Sequence, residues 1–211
     1  MIFLKKISFL LIFTLVSCGG GGGGSSDSPT SIPNPPISTG IIESCVQYGA
    51  NTKKCTLTHK TLERSYIIYV PESGASEINM PVLFALHGYG STAENHKNYT
   101  YYGPLAETNK FIVVYPQGSY FQGTFTSGNH WNVGSWTAGS TVDDVDFIDE
   151  VIGLINKKES IDQNRIYSSG MSNGGFMSYH LACNLSSKIA AIASVTGSMS
   201  AETLEDCSPS H

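Results

Sequence analysis

Arg165-Ile166-Tyr167-Ser168-Ser169-Gly170-Met171-Ser172-Asn173-Gly174-Gly175-Phe176 is the stretch on which the reading of this chain turns. It starts as a short strand, Arg165 to Ser168, and runs into a helix spanning Gly174 to Cys183. Between the two lies Gly170-Met171-Ser172-Asn173-Gly174, a G-x-S-x-G pattern in the strand-to-helix context that gives it meaning. A turn this tight holds its central residue in a strained backbone conformation. The positions two residues to either side must then lack side chains. Such a turn presents the Ser172 hydroxyl at the carboxyl edge of a sheet. The same place is a helix N-terminus, whose free N–H groups favour developing negative charge. Ser172 is therefore the candidate nucleophile.

Outward from this segment, strands and helices alternate. Tyr66 to Val70 is a β-branched and aromatic run closed by Pro71, and PVLFAL (81–86) is a continuous apolar run. FIVVY (111–115) is stopped by Pro116, and IAAIASV (189–195) is a further run. Unbroken apolar runs are the mark of strands buried on both faces. Tyr102 to Asn109 can supply a helix. Residues 143–158 place Val145, Ile148, Val151, Ile152 and Ile155 on one helical stripe, with acids at the start and Lys157 and Lys158 at the end. Thr141, with Asp144 three residues on, fits a capping box for that helix. The alternation predicts a parallel α/β sheet.

His87-Gly88-Tyr89-Gly90 comes directly after the PVLFAL strand. In an α/β-hydrolase arrangement one oxyanion donor lies just after the nucleophile and the other comes from this strand-to-helix loop. The candidate donors are the backbone N–H groups of Asn173 and Tyr89. Read alone, the same loop is a glycine turn that closes a strand, with His87 hydrogen-bonded inside.

The first forty residues read differently. Lys5 and Lys6 precede an apolar run from Ile7 to Val16, too short to span a bilayer. Leu15-Val16-Ser17-Cys18-Gly19 resembles the lipobox of bacterial lipoproteins. That resemblance implies a signal peptide over 1–17, lipidation at Cys18 and membrane attachment through the lipid alone. Residues 18–40, with six consecutive glycines from Gly19 and then Ser and Pro, are a flexible spacer. The body is then residues 41–211, exported and carried on the outer membrane or cell surface, or secreted.

Four further cysteines, Cys45, Cys55, Cys183 and Cys207, fit an oxidising compartment and allow three pairings. The local pairing, Cys45–Cys55 and Cys183–Cys207, is the expected one, since each pair brackets one short segment. Zinc binding would need C-x-x-C pairs, which are absent. Twelve basic residues against 17 acidic ones, a net charge of −5, exclude a basic nucleic-acid binder. No phosphate loop, dinucleotide fingerprint or metal-ligand cluster is present, so no cofactor and no metal are expected. A monomer is expected.

Taken in serial order, PVLFALHGYGSTAEN (81–95), FIVVYPQG (111–118), WN (131–132), VDDVDFIDEVI (142–152) and RIYSSGMSNGGFMSYHLAC (165–183) resemble the secreted esterases of the α/β-hydrolase family. That group includes polyhydroxybutyrate depolymerases, feruloyl esterases and acetylxylan esterases. The resemblance covers most of residues 60–211. It implies an α/β-hydrolase fold, a mostly parallel sheet with helices on both faces. It also implies Ser172 as nucleophile, Tyr89 and Asn173 at the oxyanion hole, a Cys183–Cys207 bridge, and Trp131 near an acyl or sugar subsite. A core aromatic is the other reading of Trp131.

Asp143, Asp144 and Asp146 precede the nucleophile, whereas the acid of this fold comes after it, so they are excluded as the triad acid. Helix capping accounts for them. The residues after Ser172 supply one helix, one strand and a loop, without the elements that carry the triad Asp and His in the family. The expectation is a chain incomplete at its C-terminus, with weak residual catalysis at most. Two functions remain: a serine carboxylic-ester hydrolase acting on feruloyl or acetyl esters of plant polysaccharide or on polyhydroxyalkanoate, and a non-catalytic surface module that binds glycan or polymer.

Overall fold

The unbroken apolar runs PVLFAL and FIVVY settle in the middle of a sheet, where both faces of a strand are covered. The computed structural model describes residues 42–74, 79–123 and 126–209. The expected signal peptide, Cys18 and the whole of the expected linker lie outside the described residues. In chain order the strands are β1 (Glu43–Gly49), β2 (Thr52–His59), β3 (Leu62–Tyr69), β4 (Met80–Leu86) and β5 (Ile112–Pro116). They continue with β6 (Ser119–Gln122), β7 (Ser127–His130), β8 (Ile161–Met171) and β9 (Ile189–Val195). The helices are α1 (Ala93–Thr100), α2 (Gly103–Asn109), α3 (Asp144–Lys158), α4 (Asn173–Asn184) and α5 (Ala201–Glu205).

Seven strands form one sheet in the order β1-β2-β3-β5-β4-β8-β9, and β6 pairs with β7 as a separate hairpin. The sheet is parallel over β5-β4-β8-β9 and antiparallel from β1 to β5. Of the five expected strands, four form the parallel part, whereas the Tyr66–Val70 run falls largely in β3, which pairs antiparallel with both β2 and β5. The antiparallel β1-β2-β3 meander extends the parallel part at one edge.

Side chains alternate across β4. Val82, Phe84 and Leu86 join Phe147, Ile148, Val151 and Ile155 of α3 and Met177 and Leu181 of α4 in one cluster. Ala85 points the other way, into a smaller cluster with Ala93 of α1 and Ala106 of α2. Helices therefore cover both faces. Each fully buried large aliphatic contributes about 1.5–3 kcal/mol relative to exposure. At the far edge β9 pairs with β8 alone among the described strands, and Val195 remains 53% exposed.

Both expected disulfides are present. Cys45 and Cys55 face each other across β1 and β2, and Cys183 at the end of α4 joins Cys207 beyond α5. The cap of α3 differs from the expected Thr141 box. Asp143 is the N-cap and its carboxylate accepts the Asp146 N–H at 3.0 Å. Asp144 is not free to complete a capping box, because it is buried in an ion pair with Arg64 at 2.6 Å.

Candidate active site

The strand register brings the two sequence motifs together. In the parallel ladders Leu86 lies opposite Gly170 and Met171 opposite Val195, so the ends of β4, β8 and β9 lie side by side at the carboxyl edge. Ser172 comes directly after β8 with φ 52° and ψ −117°, a strained conformation for a residue with a side chain. Its N–H donates to the Val195 carbonyl at 2.8 Å, and its own carbonyl accepts the Phe176 N–H at 3.0 Å as α4 begins. The residue is exposed at the sheet edge.

Backbone contacts explain the glycines around it. A Cβ on Gly170 would lie 2.1 Å from the Gly174 carbonyl oxygen, and one on Gly174 would lie 2.2 Å from the Leu86 carbonyl oxygen. The second glycine of the pattern thus answers to the neighbouring strand β4 as well as to the turn. Gly88 reaches the turn from the other side, where a Cβ would stand 3.7 Å from the Ser172 Cβ.

The loop proposed from sequence to supply an oxyanion donor is anchored on both sides of Tyr89. Gly90 N–H donates to the Asn129 carbonyl at 2.8 Å, and Ser91 N–H to the Gly88 carbonyl at 3.1 Å. Asn173 opens α4, and the first N–H groups of a helix have no acceptor within it. The Asn173 side chain is buried and spent elsewhere. Its Oδ1 accepts the Trp131 N–H at 2.7 Å, and its Nδ2 donates to the Trp131 carbonyl at 3.0 Å. Only the backbone of Asn173 is left for the site.

Trp131 does not line a subsite, contrary to the expectation from the resemblance. It is 0% exposed, and its indole N–H donates to the His87 carbonyl at 2.9 Å. Burial of the whole ring leaves no face for substrate and makes it a strut that joins the His87–Gly90 loop to the start of α4. The half-exposed aromatic beside the site is instead Trp136, which sequence reasoning missed because a Trp in a polar turn carries no periodic signal.

His87 takes part in the same support. Gly118 N–H donates to its Nε2 at 2.9 Å, and its Nδ1 donates to the Gly88 carbonyl at 2.8 Å. That pattern requires the neutral ring. Burial accordingly pulls its pKa down to about 4, and burial does the same to His96 in α1. In both cases the unfolded ring titrates near 6.5 while the folded ring resists protonation. The unfolded chain therefore binds more protons between about pH 6.5 and 4, and stability falls as pH drops through that window. Urea midpoints measured from about pH 7 to 4 are expected to fall steeply, each histidine contributing on the order of 3 kcal/mol. A flat profile would contradict the burial of these rings.

Every other described histidine is engaged away from Ser172. His59 meets Asp146 at 2.9 Å, His130 meets Ser140 at 2.8 Å, and His180 meets Thr203 at 2.9 Å. Asp143, Asp144 and Asp146 face Lys60, Arg64 and His59. Among the described residues, the one cluster of metal-ligand type is Glu43 with Cys45 and Cys55. Both sulfurs are held in a disulfide, and the Glu43 carboxylate faces Lys158 and Tyr66.

A mixed sheet whose β5-β4-β8-β9 part is parallel and flanked by helices, with a strained serine between strand and helix beside a glycine loop, defines an α/β-hydrolase. Comparison with known proteins narrows the class. Residues 64–209 match the esterase PHB depolymerase family, and the chain belongs to that family. It is 32% identical over 134 residues to a bifunctional acetylxylan esterase/xylanase of Neocallimastix patriciarum, covering 64% of this chain and 18% of that protein. It is 31% identical over 157 residues to a probable feruloyl esterase C of Aspergillus flavus, covering 71% and 55%. A poly(3-hydroxyalkanoate) depolymerase C of Paucimonas lemoignei is 30% identical over 119 residues, covering 56% and 28%. Among solved structures, an acetyl xylan esterase from Aspergillus awamori superposes with a TM-score of 0.53 at 25% identity, over 64% of this chain and 47% of that one. The chain thus spans about half or less of the relatives it matches.

Proposed function

We propose that the protein is a serine carboxylic-ester hydrolase acting on polymer-linked esters, with Ser172 as nucleophile and the Tyr89 and Asn173 N–H groups as the oxyanion donors. The strained backbone of Ser172 beside the Gly88 loop is the observation that carries the reading. In the proposed reaction Ser172 Oγ attacks the ester carbonyl carbon while its proton passes to a general base. The alcohol leaves, and water releases the acid from the acyl-enzyme. The substrates of the family members suggest feruloyl or acetyl esters of plant polysaccharide, or polyhydroxyalkanoate. Export and a lipid tether at Cys18 belong to the same proposal.

Among the described residues no histidine is bonded to Ser172, so the 211-residue chain alone should hydrolyse esters weakly at best. The expected result with an alkyl fluorophosphonate is slow, stoichiometric modification mapped to Ser172 by mass spectrometry and abolished in Ser172→Ala. Modification at another residue, or labelling that survives the substitution, would remove Ser172 from its role. Rapid turnover of 4-nitrophenyl acetate by this chain would instead refute its weakness. The non-catalytic reading predicts polymer binding that is unchanged in Ser172→Ala and no modification of Ser172.

A further inference from the structure

Tyr101 closes α1 with φ 51° and ψ 39°, in the left-handed region. Glycine is the usual occupant of a helix end in that conformation, because a Cβ there crowds the following carbonyl oxygen. Among the described residues Tyr101 is the only aromatic with a positive φ. Burial does not compensate for the strain, since the residue stays 72% exposed. A bulky side chain that is strained and yet packs against little is a reason to look for a ligand beside it.

Tyr101 lines a cavity of about 350 Å³ between the β1–β2 turn and the junction of α1 with α2. Tyr69 and Tyr115 add aromatic wall, and Lys97 and Asn98, from the last turn of α1, bring an ammonium and an amide. Among the described residues neither of these two polar heads has a hydrogen-bond or ion-pair partner. The acids on the same two helices are already engaged. Glu94 of α1 accepts from the Tyr48 hydroxyl. Glu107 of α2 accepts the Tyr69 hydroxyl at 2.6 Å and the Ser73 N–H at 2.8 Å. Lys97, half-buried at the wall, is thus left without a carboxylate of its own.

We infer that this cavity is a second, non-catalytic binding site, which takes a uronic-acid unit of an acidic glycan. The uronate carboxylate pairs with Lys97 Nζ, and the ring hydroxyls accept from the Asn98 amide. The apolar C–H face of the pyranose covers the exposed Tyr101 ring. A volume of about 350 Å³ lies at the small end of ligand sites, which suits one sugar unit. None of the lining residues belongs to the His87–Gly90 loop or to the Ser172 turn, so binding here does not depend on ester hydrolysis.

The test is calorimetric titration of the protein with tetragalacturonate and, as the uncharged counterpart, cellotetraose. Tetragalacturonate is expected to bind at least tenfold more tightly. Lys97→Gln should erase that preference, and Tyr101→Gly should weaken tetragalacturonate binding at least tenfold. Tyr101→Gly also separates a ligand platform from a packing residue. Glycine relieves the left-handed strain, so the urea midpoint should hold or rise while binding is lost. A tyrosine kept for packing would lower the midpoint instead, and that result would overturn the inference. Equal binding of the two oligosaccharides, binding of neither, or tetragalacturonate binding unchanged in either variant would overturn it as well.

Discussion

Gly174→Ala is expected to prevent the chain from folding, or to destabilise it by more than about 4 kcal/mol, the range reached only when backbone must move to relieve a clash. The methyl group would sit 2.2 Å from the Leu86 carbonyl oxygen and 2.7 Å from that of His87. Neither oxygen can swing aside as a flexible side chain could. Leu86 is paired in the centre of the sheet, and the His87 carbonyl already accepts the Trp131 indole N–H. Relief would have to come from moving α4 off β4, which opens the core cluster around Met177 and Leu181. The comparison is Gly153→Ala, in α3, where nothing lies within 4 Å of the added atom. That change should stabilise by about 0.5–1 kcal/mol, because alanine loses less backbone freedom in a helix than glycine. Urea unfolding monitored by circular dichroism should therefore give opposite signs for one substitution type. A folded Gly174→Ala protein with an unchanged midpoint would refute the close packing of α4 against β4.

Asp144→Ala is the second large effect, expected to cost about 3–5 kcal/mol because it strands a buried guanidinium. Arg64 and Asp144 are both buried. Their ion pair is 2.6 Å long, and the other Asp144 oxygen accepts the Asn132 N–H at 2.8 Å. The Arg64 guanidinium also lies 3.9 Å from the Phe147 ring centre and donates to the Gln117 carbonyl at 3.2 Å. One pair thus ties β3, the loop after β5, the segment beside Trp131 and the start of α3. Removing the carboxylate leaves the Arg64 charge desolvated. Removing both charges with Arg64→Met and Asp144→Leu should restore much of the loss, since apolar groups of similar volume often replace such pairs at little cost. The urea midpoints of the single and double variants decide it. If Asp144→Ala lowers stability by less than about 1 kcal/mol, the pair does not tie these segments together.

Legibility in the sequence tracked physical range. The runs that became β4 and β5 were readable because burial on both faces demands an unbroken apolar string, which is a local property, whereas the equally apolar IAAIASV became β9, at the edge of the described sheet and exposed along most of its length. Strands β1 and β2 escaped notice. Glu43–Gly49 is exposed along most of its length and is held by a partner strand and a disulfide, neither of which writes periodicity into the residues. The hairpin of β6 (SYFQ) and β7 (SGNH) is likewise too short and polar to announce itself. The helix cap moved by two residues because Asp144 had a better partner 80 positions away in Arg64. Trp131 carried a motif but not its direction, and only packing decided that its ring points into the core.

By itself the sequence determined the succession of core strands and helices along the chain, the strained serine turn and its glycines, and the glycine loop after the PVLFAL strand. Each of these comes from sterics or burial within about a dozen residues. Tertiary structure alone decided what those elements touch. It set Leu86 beside Gly170, spent the Asn173 side chain on Trp131, and buried Asp144 against Arg64. It also left Trp136 half-open between Tyr89 and Phe176. Contacts between residues far apart in the chain depend on strand order and register, and these are set by the summed packing of the whole domain.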